Sequence, residues 1–162
     1  MSLIEQPITG RFRISAFGAE FTVLGKPQHG GSKTAFPIRM KSGKYRCNVV
    51  DENEKEVKPW RNQIMVVASE LMKDREPFQG PLMLVVDFYF ARPKGHFGVH
   101  GVRRAAPRYP VVRPDTTKLL RPLEDALSGI LWKDDSQVVD QIARKRYGDP
   151  PRAEVKVAVI VK

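Results

Sequence analysis

The chain has 162 residues and carries 28 Lys and Arg against 18 Asp and Glu, a formal net charge of +10 at neutral pH. That length, with 41% apolar and 28% charged residues, favours one folded domain with a buried core and excludes disordered and collagen-like classes. A single cysteine, Cys47, excludes an internal disulfide framework and a cysteine-based zinc cluster, and the excess charge makes a polyanion the first partner to consider.

Residues 1–18 carry no clear element, and the start MSLIEQPITGR lacks the basic residues and apolar stretch of a secretory signal. The longest apolar runs, 82–86 and 157–161, fall far short of the ~20 residues of a membrane helix. The expectation is a cytoplasmic protein with no membrane partner. Residues 19–24 (AEFTVL) read as a strand, ended by the turn Gly25-Lys26-Pro27. The segment 25–32 (GKPQHGGS) comes within one residue of a phosphate-binding loop. However, Gly31 stands where that loop needs lysine and Pro27 removes a backbone donor, so no nucleotide cofactor is expected.

Two short strands follow at 35–40 and 45–50 around Ser42-Gly43, with Cys47 expected to be buried or half-buried in the second. Residues 51–58 read as a solvated connection, and 60–73 as a helix with Pro59 in its first turn. The apolar run 81–90 (PLMLVVDFYF) predicts a central strand, ended by Arg92-Pro93. Residues 92–114 form a Pro- and Gly-rich loop with six Lys or Arg and no acid, long enough to suggest a function. His96 and His100 have zinc-binding spacing, but Gly95, Gly98 and Gly101 disfavour the helix that would align them. A second helix is predicted over 116–131, then strands at 137–144 and 154–161. The sum is an α+β domain spanning 1–162, with a mixed sheet packed by about two main helices and a long basic loop.

On the second helix, Leu119, Leu123, Ala126, Leu127, Ile130 and Leu131 share a core-facing stripe. Thr117, Lys118, Arg121, Asp125 and Ser128 gather opposite, either lining a phosphate groove or facing solvent. Pro122 should remove a hydrogen bond and kink the helix. Asp115 either caps the helix or holds a cation, and Asp134-Asp135 either starts a turn or holds a cation. A Mg²⁺ site for phosphodiester hydrolysis needs only one or two carboxylates, with water and phosphate oxygens completing it. Asp115 and Asp125 lie about 15 Å apart along a straight helix and cannot share an ion. Asp115 with Asp135 is the feasible pair, and Asp125 is better placed to pair with Arg121 or Lys118.

Residues 113–139 (RPDTTKLLRPLEDALSGILWKDDSQVV) resemble the RusA family of Holliday-junction resolvases. The family pattern runs basic-Pro-Asp-x-Asp-Asn/Lys-Leu-x-Lys/Arg, then Asp-Ala-Leu, then Asp-Asp-Ala/Ser-Gln-Val. Segments 21–27, 31–33, 58–61, 88–96, 106–110 and 145–148 resemble further stretches of phage-type members. The resemblance implies a single RusA-like domain that acts as a Mg²⁺-dependent endonuclease, with Mn²⁺ as an alternative ion. It implies a homodimer that nicks opposite strands of four-way DNA in recombination and repair.

By position, Asp115 and Asp135 would be metal-binding aspartates, assisted at the ion by Asp134, the family's other acidic neighbour, and Lys118 or Arg121 would stabilise charge on phosphorus. Arg121 stands where members can have a functional lysine, which keeps the charge but gives up an amine able to transfer a proton. Arg92, Lys94, Arg103, Arg104, Arg108, Arg113 and Lys145 would hold backbone phosphates. One departure stands out: Thr117 occupies the second aspartate of the family's Asp-x-Asp pair. Loss of that carboxylate defines the alternative, a junction- or DNA-binding protein impaired in cleavage.

Overall fold

The structure, a computed structural model, describes residues 13–14, 18–31, 33–51 and 53–161. In chain order these form β1 (Arg13–Ile14), β2 (Ala19–Leu24), β3 (Lys33–Arg39), β4 (Tyr45–Asp51) and helix α1 (Glu54–Leu71). There follow β5 (Leu82–Phe90), β6 (Phe97–Gly98), β7 (Gly101–Val102), helix α2 (Thr116–Leu127), β8 (Val138–Tyr147) and β9 (Arg152–Val161). Most of 1–18 lies outside the described residues; within it, β1 pairs with the end of β9.

The apolar run of β5 takes the centre of a mixed sheet, antiparallel to β9 on one side and parallel to β8 on the other. Residues buried on both faces are what such an unbroken run demands, and Leu82 through Val86 are all buried. The alternating sequence of β2 instead buries Ala19, Phe21 and Val23 and exposes the residues between them, as it pairs with β9. On one sheet face Leu84, Val86, Phe88, Val155 and Val157 meet Trp60 and Ile64 of α1 and Leu119, Leu123 and Leu127 of α2. Each large side chain buried there stabilises the fold by roughly 2–3 kcal/mol. The other face holds a small cluster of Met83, Val85 and Ala158. Beside it, Asp87 accepts from Arg144 at 3.3 Å and Arg146 at 2.7 Å. These pairs explain why the basic stretch 144–146 continues as strand: β8 is an edge strand, where charge is tolerated and discourages further pairing.

Several expectations shift in detail. Residues 54–58 are helical rather than a connection, because Glu54 and Glu56 suit the positive end of α1 and Val57 is buried. Pro59 therefore lies inside the helix, past its first turn. α2 ends at Leu127 rather than at 131, since Ser128 is extended and Gly129 adopts φ +83°. Its apolar stripe is nevertheless buried as the spacing predicts. The long loop contains a 3₁₀ turn at Lys94–His96 and the β6–β7 pair. Strands β3 and β4 form a separate two-stranded ribbon, and Cys47 on it is exposed, not buried. Among the described residues no helix is long and apolar enough to cross a membrane.

Candidate functional site

The site grows out of a proline inside a helix. Pro122 has no N–H to donate to the carbonyl of Lys118, one turn earlier. The N–H of Gly30 supplies that bond instead, at 2.9 Å. The expected loss is thus repaired by another segment, α2 stays assigned as helix across Pro122, and residues 26–31 are drawn onto it. Between this segment and the two helices lies a cleft of about 670 Å³, lined by Gly31, Glu54 and Arg61 on one side and by Thr117, Lys118, Arg121 and Asp125 on the other. A hollow of about 600 Å³ adjoins it, with His29, Asn53, Arg113, Asp115 and Lys118 in its walls. The two share Gly31 and Lys118. The polar face of α2 therefore lines a groove.

Asp115 occupies the N-cap position of α2, yet its side chain makes no capping hydrogen bond. The turn is held by backbone alone, Leu119 N–H donating to Asp115 C=O at 3.1 Å. The exposed carboxylate is left at the positive end of a helix. Asp134 behaves differently. Its side chain accepts from Ser136 N–H at 2.8 Å and forms a reciprocal capping box with Gln137. That bond holds its carboxyl below the usual aspartate range. Oδ1 of Asp134 is thus engaged in starting the turn. Asp135 accepts from the indole N–H of the buried Trp132 at 2.8 Å, which orients one carboxylate oxygen and leaves the other outside that bond.

The charge of Asp135 is felt by Glu124, whose pKa is raised first by burial and then by Asp135, against a hydrogen bond from Gln141. So the structure brings Asp135 together with Trp132 and Glu124, towards the end of α2. Asp115 is brought together with Arg113, Lys118 and His29 at its beginning. No described contact joins the two aspartates, and no group of three or more His, Cys, Asp or Glu among the described residues forms a ready ligand set. Asp125 lines the cleft with Lys118 and Arg121, but among the described residues it makes no ion pair with either. The expected pairing of Asp115 with Asp135 on one ion is therefore not formed among the described contacts. The oxygen donor of Asp115, with the nearby hydroxyl of Thr117, suits a hard divalent cation that keeps several waters.

The expected phosphate contacts divide into two groups. Arg92 is half-buried, stacks on Tyr147 with 4.2 Å to the ring centroid, and donates to Pro107 C=O at 2.7 Å. Arg103 donates to Phe97 C=O at 3.0 Å. Lys145 binds the carbonyls of Val112 and Pro114 at 2.7 and 2.8 Å, fixing the chain just before Asp115. These three shape the loop. Lys94, Arg104, Arg108 and Arg113 are exposed, and Arg113 lines the hollow beside Asp115. His29, Asn53, Arg61 and Glu124 were not singled out by motif reasoning. For Arg61 the signal was present, since 58–61 belongs to the stretches that resemble RusA-like chains. Glu124 lies within the resembling stretch 113–139, and its place beside Asp135 comes from the turn after α2. For His29 and Asn53 only the folding of 26–31 and α1 onto α2 sets the position.

Endodeoxyribonuclease RusA is the family whose profile matches the chain, over residues 38–158. The chain is also similar to the uncharacterized protein YqaN of Bacillus subtilis (strain 168), with 28% identity over 141 residues, covering 85% of this chain and 94% of that protein. The family match covers α1, the basic loop, α2 and the Asp134-Asp135 turn, while segment 26–31, which completes the cleft, precedes it. The chain belongs to the RusA family of endodeoxyribonucleases.

Proposed function

We propose that this protein is a divalent-metal-dependent endonuclease that resolves four-way DNA junctions as a homodimer, in the cytoplasm of a bacterial or phage-infected cell. The observation that carries the reading is the uncapped carboxylate of Asp115, set beside a cleft lined by Lys118 and Arg121, where Arg61 is paired with Glu54 at 3.0 Å. A nuclease needs that juxtaposition, one anionic group for a cation and several cations for a phosphodiester. Asp115 would hold Mg²⁺ or Mn²⁺, with water and phosphate oxygens completing the shell and Thr117 reaching the ion through a water. When bound, the ion would lower the pKa of a water and offset charge on the leaving oxygen.

The chain's own residues supply the rest. Lys118 and Arg121 are exposed on adjoining turns of α2 and meet the scissile phosphate as it gains charge. Arg121 cannot give up a proton at neutral pH, so its part is electrostatic. Trp132 orients Asp135 through the indole N–H. The exposed cations of the loop hold backbone phosphates, which recognise shape and position rather than base sequence. A two-fold dimer would match the near two-fold symmetry of a junction.

Thr117 on the wall of the cleft supports a second reading, binding without cleavage, because a hydroxyl brings no charge to a cation. A labelled synthetic four-way junction, incubated with and without Mg²⁺ or Mn²⁺, separates the two. Metal-dependent paired nicks are expected. Asp115→Asn should lower them by at least about a hundredfold while binding persists, and Thr117→Asp should raise them. Tight binding without nicks under either metal would establish the second reading.

A further inference from the structure

The β3–β4 ribbon is unused by the site described above. Every residue from 35 to 47 is exposed, and among the described residues the ribbon's strands pair only with each other. An isolated two-stranded hairpin is marginally stable in water, so one exposed on both faces suits a surface that gains a partner. The stretch 35–47 contains four Lys or Arg and no Asp or Glu. The register pairs Arg39 with Tyr45 and Ile38 with Arg46, which places an arginine on each face, with Lys41 and Lys44 at the tip.

The residues that flank the ribbon line the groove. Gly31, just before β3, lines both cavities, and Asn53, just after β4, lines the hollow of Asp115 and Lys118. Asn53 Nδ2 donates to His29 C=O at 2.8 Å, tying the two roots together. A strand of seven residues reaches about 20 Å from that point.

We propose that this ribbon is a second DNA-engaging element, lying in the major groove of a duplex arm whose backbone crosses the cleft. The inference rests on the nuclease reading above. Charge selects the partner: the cations of 35–47, a stretch without an acid, complement phosphates, whereas the same stretch of a second copy would set like charge against like. The shape agrees, since the major groove, about 12 Å wide, admits a two-stranded β-ribbon.

The test measures binding of a labelled junction by anisotropy from about 50 to 200 mM salt, using wild type, Lys41→Ser/Lys44→Ser and Arg39→Gln/Arg46→Gln. Dimethyl sulfate footprinting reports on guanine N7, a major-groove atom. Each double variant should bind roughly tenfold more weakly, with the salt slope reduced by about 1.8, and should lose guanine protection. Circular dichroism melts should remain unchanged. Wild-type binding with unaltered affinity, slope and protection in both variants overturns the ribbon's role and leaves the nuclease reading standing. A folded wild type that binds no DNA overturns both. If Phe36→Ser/Ile38→Ser lowers the sedimenting mass while the lysine variant binds as wild type, the ribbon belongs to a second copy and the proposal fails.

Discussion

Glu124 shows how one residue near the site couples stability to pH. Burial disfavours its charged form, the neighbouring Asp135 adds to that, and the native pKa lies above the ordinary glutamate value. For an acid shifted upward, the folded state binds more protons than the unfolded state, so stability falls as pH rises through the glutamate range. Glu124→Gln removes the charge, and its amide oxygen can still accept from Gln141. The variant should melt higher than wild type at pH 7, with the difference shrinking at about pH 4 as Glu124 itself becomes protonated. A thermal scan at the two pH values checks this; an equal difference at both would refute the coupling. The same scale marks a limit of sequence reading. Asp115 and Asp134 are both acids placed to cap a turn, and only Asp134 does so with its side chain.

Among the elements, the β8–β9 connection is held at a close contact. A Cβ on Gly148 would lie 2.6 Å from Cδ1 of Tyr89, whose ring is itself covered by Arg152 at 3.8 Å from its centroid. Gly148 N–H also donates to Phe90 C=O at 2.9 Å, so the backbone has little room to move away. Gly148→Ala should cost about 1–3 kcal/mol, read as a lower urea midpoint with unchanged slope. Gly95→Ala, with no atom near its Cβ, should leave the midpoint nearly unchanged. Local sequence locates β2, β5 and the apolar stripe of α2, because alternation and helical spacing depend on which faces are buried. It misplaces the start of α1, where charge near Glu54 reads equally well as loop or as a dipole-stabilised first turn.

At the scale of the whole molecule, the exposed stretch 35–47 of the ribbon stands apart from the packed core. The core is built from β2, β5, β9 and the two helices, and the ribbon contributes no described residue to it. Replacing residues 35–47 by a short Asn-Gly turn should therefore shift Tm by no more than about 2 °C. It should also leave one cooperative transition and weaken junction binding. A large loss of Tm would show that the ribbon packs on the core in solution. The charge of +10 divides along the same line: Arg144 and Arg146 pair with Asp87 inside the fold, while Lys118 and Arg121 face the cleft and Lys41 and Lys44 stand at the ribbon tip.

Sequence alone determined the family, the α+β class, the central strand and the identity of the acids flanking α2. Those features reside in contiguous motifs and in periodicities that any fold must bury. Tertiary structure alone decided that Gly30 completes the hydrogen bond withheld by Pro122, opening a groove between segments some ninety residues apart. It likewise decided that Arg92 and Lys145 brace the basic loop, and that residues 35–47 stand outside the sheet. Composition counts a charge or a missing donor, but its role depends on which distant group comes within hydrogen-bonding reach.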